Sequence, residues 1–228
     1  MKRYLPFAII AVVALGTVGV ATTLYRSKMH PPAQASAALT PGPTAATEKE
    51  DEDESLHARG PRTAPVTIEV YGDFQCPSCG IATAVIGELE KQYAGQLRVI
   101  FHEFPLAMHK HAAEAAMAAE AAGLQGHFWE MHDMLYRYQS VWSSATTVSP
   151  LFVAYAESLG LNVSQFQSDA KSPEIQARVI SEGEAGVARG VKNTPTIFIN
   201  GREAINAFRR ENLLQAIDAA LAEKKKKS

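Results

Sequence analysis

The tightest limit on how this chain folds comes from a strand-forming run that leads straight into two closely spaced cysteines. VTIEVY (Val66 to Tyr71) is rich in β-branched residues and reads as a buried strand. GDFQCPSCG follows it directly and holds the only two cysteines of the 228 residues, Cys76 and Cys79. Pro77 suits the first turn of a helix, where its missing N–H costs nothing, and IATAVIGELEKQY (Ile81 to Tyr93) carries that helix toward Gly95. LRVIFHEF (Leu97 to Phe104) is a second strand. The three elements make a β-α-β unit, whose parallel crossover is expected to be right-handed.

A long helical stretch follows from about Met108 to Arg189, broken near Val141 to Pro150 by polar and turn-forming residues. Strand character returns with TPTIFI (Thr194 to Ile199). Asn200-Gly201 is a strong tight-hairpin signal, and REAIN is expected to pair back as a short strand. A last helix, about Arg209 to Glu223, carries Leu213, Leu214, Ile217 and Leu221 at helical spacing. The order is β-α-β, a helical insert, then β-β-α, with no internal repeat.

The two ends read differently. Lys2 and Arg3 precede an uncharged run from Leu5 to Leu24, which Arg26 and Lys28 close. A helix needs ~20 such residues to cross a bilayer. A cleaved signal peptide is the alternative, but its apolar core usually spans only ~7–15 residues. The small-residue stretch Ala33 to Ala37 lies well beyond the run, so residues 1–25 are expected to be an uncleaved anchor. Residues 26–62, rich in Pro, Ala and Thr and then acidic (Glu48 to Glu54), have too few large apolar side chains to fold and read as a tether. About 35 flexible residues reach roughly 30–35 Å. The positive charges place the amino terminus in the cytoplasm by a narrow margin. Residues 224–228 form a basic tail. A net charge of −2 without a basic stripe gives no case for nucleic-acid binding.

Thiol–disulfide exchange needs a thiolate, and a helix amino terminus supplies one by directing unpaired N–H groups and the positive end of its dipole at a sulfur. Cys76 sits at that position. Cys79 lies one turn further on nearly the same face, close enough to resolve a mixed disulfide formed at Cys76. A purely structural bridge is a poor use of the pair, because so short a loop constrains the unfolded chain little. A zinc site needs two more ligands, and His102, His109 and His111 lie on another segment without a second C-x-x-C.

DFQCPSCG, FHEFPL, AAEAAGLQGHFWEMHDMLY and GVKNTPTIFING, in this order, make the chain resemble the DsbA family of disulfide oxidoreductases over most of Ala64 to Ala222. The resemblance implies an α/β thioredoxin fold, which in this chain follows the transmembrane helix expected from Leu5 to Leu24. Residues 63–105 and 191–223 would form its two parts, and residues 106–190 an inserted α-helical domain. It implies catalysis by Cys76 and Cys79 with Pro77 and Ser78 tuning the pair, and a cis Pro195 after Thr194 that faces the cysteines and pairs with substrate backbone. Many strong oxidants of the family carry histidine where Ser78 stands, so a milder oxidant is expected.

Relatives often carry a buried acid six residues before the first cysteine. Here that position is Val70, and Glu69, one residue earlier, is expected on the opposite face. Proton transfer is then left to water, Asp73 or Glu103, with none assigned. The redox-active disulfide is the whole chemistry, without cofactor or metal. The expected activity is disulfide donation to unfolded or thiol-bearing exported proteins outside the cytoplasm, with recharging by a DsbB-type membrane partner. Reductant or isomerase action by the same fold is an alternative. So is a copper or zinc carrier using the cysteines with His109 and His111 beside Met108. Trp129, Met131, Met134 and Leu135 are expected in the core of the insert.

Overall fold

A computed structural model describes residues 57–227, so the expected anchor and most of the expected tether lie outside the described residues. Strand β1 (Ala58–Arg59) comes first, followed by β2 (Val66–Gly72), helix α1 (Pro77–Gln92) and β3 (Leu97–Glu103). β2 and β3 pair in parallel from Val66 opposite Leu97 to Gly72 opposite Glu103, so the β-α-β unit forms as its pattern requires. β4 (Thr196–Ile199) joins the other edge of β2 antiparallel, and β5 (Arg202–Glu203) folds back on β4. The sheet order is β1-β3-β2-β4-β5. Asn200 and Gly201, with φ of 47° and 78°, supply the two positive dihedrals of the tight hairpin.

The insert between β3 and β4 is helical throughout its regular elements. They are α2 (Ala112–Gly123), α3 (Phe128–Arg137), α4 (Gln139–Trp142), α5 (Ser149–Ser158), α6 (Val163–Asp169) and α7 (Pro173–Ala188). The anticipated break falls between α4 and α5. Two starts are capped as their residues favour: Asn162 Oδ1 accepts from Gln165 N at 3.0 Å, and Ser172 Oγ accepts from Ile175 N at 3.2 Å ahead of Pro173. The alanines of α2 other than Ala113 are buried, and their small side chains let neighbouring helices approach closely. One core cluster joins Ile68 of β2, Leu89 of α1, Phe101 of β3, Met131, Leu135 and Trp142 of the insert, and Leu213 and Ile217 of α8 (Arg210–Lys227). Trp129 and Met134 are only half-buried.

Three boundaries differ from the sequence reading. The fold begins by His57 and not at residue 63: His57 is buried, and Ala58 and Arg59 pair with Ile100 and Val99 of β3. Arg59 also places its guanidinium 4.2 Å over the Trp129 ring and Nη2 2.6 Å from Glu90 Oε2. A two-residue strand shows no period, so polar composition hid it. The REAIN strand shortens to Arg202–Glu203, because the chain turns away through Asn206, whose φ is 54°. The last helix continues through Lys227, into the segment expected to be a separate tail. Lysine is a good helix former and suits the negative end of the dipole.

Candidate active site

α1 starts where β2 ends, and this junction sets the two sulfurs. Cys76 is the N-cap, with extended dihedrals, and Pro77 occupies the exposed first turn. Cys79, one turn on, is buried, and Asp73 N donates to its Sγ at 3.5 Å. Both thiols are free, so this is the dithiol form. Across from them the Thr194-Pro195 peptide bond is cis, and Cys76 Sγ lies 3.5 Å from the Thr194 carbonyl oxygen. Residues 118 positions apart thus meet at one sulfur.

The two thiols ionise very differently. The Cys79 hydrogen bond does most to lower Cys76, whose pKa falls from 9.0 to about 5. Burial opposes the shift, while Thr194 and the backbone N–H groups of Cys79 and Ser78 assist it. At pH 7 such a group is about 99% thiolate, against a few per cent for a free cysteine. Burial pushes Cys79 far above the ordinary thiol value, and its contact with Cys76 adds to this. Thr194 Oγ1 is buried without a partner, a donor available to a thiolate at Cys76. The structure therefore brings together Cys76, Cys79, Thr194 and Pro195. Pro77 and half-buried Ser78 contribute mainly the helix start.

Several positioning residues escaped the sequence reading. Gln139 Nε2, on the insert, donates to the carbonyl oxygens of Phe74 at 2.7 Å and Cys76 at 2.9 Å. Gln75 Nε2 donates to Ser143 O at 3.0 Å, and Gln75 Oε1 accepts from His111 N at 2.7 Å. The buried Asp73 carboxylate accepts from Gln75 N at 2.7 Å and Leu106 N at 2.8 Å, with His109 Nδ1 2.7 Å away. Gly72 is needed for close approach, since a Cβ there would lie 2.4 Å from Phe101 Cε2 and 3.2 Å from Tyr136 Oη. These partners come from segments whose separations follow no local spacing. Glycine before a motif was the one visible hint.

The histidines considered as metal ligands have other contacts. His109 meets Asp73, His111 lies between Glu114 and Ala145 O, and His102 stacks on Tyr71 with centroids 4.6 Å apart. Glu69 is held by both Arg189 guanidinium nitrogens, one at 2.9 Å, and His102 and Arg189 overcome burial to hold its pKa at about 2. Glu103 contrasts with it: buried, without a hydrogen bond to either carboxylate oxygen, it is pushed well above the usual carboxylate range by desolvation and then by Glu120 and Glu182.

Comparison with known proteins agrees with this geometry. The sequence profile of the thioredoxin family matches residues 52–219. Among solved structures, BdbD from Bacillus subtilis superposes with a TM-score of 0.66 at 21% identity, covering 75% of this chain and 94% of that one. Wolbachia pipientis alpha-DsbA1 gives 0.67 at 18% identity, covering 75% and 93%. MdbA, a thiol-disulfide oxidoreductase from Corynebacterium diphtheriae, gives 0.58 at 20% identity, covering 69% and 85%. Curated relatives carry a different name: the Na(+)/H(+) antiporter NhaA 1 of Salinispora arenicola is 38% identical over 167 residues, 73% of this chain but 25% of that protein. The chain thus spans about a quarter of the length of the curated relatives it matches. Their name describes the whole proteins, and among the described residues here no helix is long and apolar enough to cross a membrane. With the Cys76–Cys79 pair at the head of α1 and helices inserted between β3 and β4, the chain belongs to the thioredoxin family in its DsbA-like arrangement.

Proposed function

We propose that this protein is an extracytoplasmic thiol:disulfide oxidoreductase that passes a Cys76–Cys79 disulfide to thiol-bearing exported proteins. The split ionisation of the two cysteines carries this reading. A substrate thiolate attacks Cys76 Sγ, the S–S bond of the pair breaks, and the Cys79 sulfur leaves with the electrons and takes up a proton. A second substrate thiolate then attacks the substrate sulfur of the mixed disulfide and expels Cys76 as a thiolate. The substrate loses two electrons and two protons, and its two sulfurs become bonded. A departing thiolate with a pKa of about 5 is a good leaving group and stabilises the reduced enzyme, which favours the oxidising direction. Ser78 in the place of histidine supports a milder poise than that of the strongest oxidants.

The Thr194-Pro195 segment, with a carbonyl turned toward Cys76, suits strand-like pairing with a substrate backbone. Recharging falls to a DsbB-type, quinone-linked membrane partner. Leu5 to Leu24 anchors the chain, and the following polar segment holds the domain outside the cytoplasm. The reduction potential of the pair against glutathione tests the direction: a value above about −200 mV is expected, whereas one near thioredoxin's, about −270 mV, would make the protein a reductant. Fractionation tests the location, since a soluble product starting near Ser36 would remove the anchor.

A further inference from the structure

Asp73 follows β2 directly, and its backbone touches both cysteines. Its N–H donates to Cys79 Sγ at 3.5 Å, and its carbonyl oxygen accepts from Cys76 N at 3.1 Å. Its carboxylate is engaged elsewhere. Oδ1 accepts from Gln75 N at 2.7 Å, while Oδ2 accepts from Leu106 N at 2.8 Å and lies 2.7 Å from His109 Nδ1. Leu106 and His109 are the two ends of one turn after β3, closed by His109 N donating to Leu106 O at 2.9 Å. Both ends of that turn grip the same oxygen.

Opposite a carboxylate oxygen, the imidazole nitrogen takes the donor's part. Three donors from two segments then fix the orientation of one buried side chain, and with it the aim of the residue's own N–H. The Asp73 side chain is 0% exposed and that of His109 is 22% exposed, so the imidazole is the outer end of a chain of contacts that reaches a buried sulfur. Cys79 has lost its water. Burial, and then the contact with Cys76, keep negative charge off that sulfur, and the Asp73 N–H works against them.

Resting on the disulfide-exchange reading above, we propose that the Asp73 N–H receives the Cys79 sulfur as it leaves, and that His109 is a positioning residue that aims this N–H through the Asp73 carboxylate. When a substrate thiolate bonds to Cys76 Sγ, the bond between the two enzyme sulfurs breaks and its electron pair goes to Cys79. The pair is reduced and the substrate oxidised. Negative charge therefore develops at a buried atom, where a donor already in place stabilises it without reorganisation. A thiol sulfur accepts such a bond better than a disulfide sulfur, so the same contact favours the reduced pair. His109 touches no reacting atom and acts only through Asp73.

The test uses the full chain in detergent and reads two quantities: the rate at which glutathione opens the Cys76–Cys79 disulfide, and the equilibrium constant of the pair with glutathione. His109→Ala should slow opening about tenfold, the scale of one hydrogen bond. It should also move the equilibrium about tenfold toward the disulfide, a potential lower by about 30 mV. Asparagine carries an amide nitrogen where histidine carries Nδ1, so His109→Asn should restore both values and His109→Gln neither. A merely structural loss would lower the Tm of the disulfide and dithiol forms alike, and the equal shifts would cancel in the equilibrium. If His109→Ala fails to fold, deuterium exchange of the wild-type Asp73 amide decides, and it should be about tenfold slower in the dithiol form than in the disulfide form. An inert wild-type pair would overturn the exchange reading itself. A reactive wild type with an unmoved equilibrium in His109→Ala, full rescue by His109→Gln, or equal amide exchange in the two forms would overturn the role of Asp73 and His109 alone.

Discussion

Gln139 provides the sharpest test of how the inserted helices hold the redox loop. Its side-chain amide donates to Phe74 O at 2.7 Å and to Cys76 O at 2.9 Å, tying α4 to the loop that presents the first cysteine. Gln139→Ala removes both bonds. Two neutral hydrogen bonds at about 0.5–1.5 kcal/mol each give an expected loss of about 1–3 kcal/mol. For a domain of this size that lowers Tm by about 2–12 °C. Gln139→Glu is the discriminating partner: it keeps the volume but replaces the donor with acceptors facing two carbonyl oxygens, so it should destabilise at least as much at neutral pH. Urea unfolding of the disulfide form measures both without interference from thiol ionisation. A loss below about 0.5 kcal/mol for Gln139→Ala, or an unaffected Gln139→Glu, would show that the clamp does not hold the loop.

Cys76→Ser should abolish exchange, whereas Cys79→Ser should still attack and stall as a mixed disulfide on non-reducing gels; the reverse pattern sinks the assignment of roles. Because folding lowers the Cys76 thiol from 9.0 to about 5, its contribution to the reduced form is complete above pH 9 and disappears as pH falls through 5. The Tm of the reduced form should therefore gain on that of the oxidised form as pH rises from 5 to 9, and a flat difference would contradict the shift. Gly72→Ala should cost about 1–3 kcal/mol, since Phe101, buried against Phe74, has no room to yield; denaturant titration checks it, and a neutral result would show that the ring can move. Arg189→Ala should raise the Glu69 pKa from about 2 toward 4.5 and cost about 1–2 kcal/mol, the pair being partly exposed; an unshifted carboxyl resonance in an NMR titration would refute that coupling.

How much was legible depends on how far apart the interacting residues are. VTIEVY, Pro77 and the Asn200-Gly201 turn each announce their conformation through neighbours within a few positions, and each forms as expected. Thr194 and Pro195 were found only through the resemblance, because a Thr-Pro pair ahead of a strand is unremarkable by itself. Gln139 and Gln75 were not assigned roles and Asp73 was weighed only for proton transfer, since the polar partners that such side chains meet come from distant segments. His57 shows the failure most plainly. It ends a polar, acidic stretch that reads as unstructured, yet it packs 4.3 Å, ring centroid to centroid, from Phe128 and meets carboxylates from two helices.

The β-α-β unit, the tight hairpin and the placing of Cys76 at a helix start with Cys79 one turn inside are all written in short stretches of residues. These follow from backbone preferences and side-chain period, which act over a handful of residues. The tertiary structure alone decided what surrounds the sulfurs. It turned the Thr194 carbonyl toward Cys76, laid Gln139 across the loop from another helix, and buried Glu103 beside Glu120, Glu182 and His57. The physical reason is that desolvation and pairing depend on which distant segments pack together. A pKa of about 5 at one cysteine and a far higher value at the other arise from burial and contacts that local spacing does not encode.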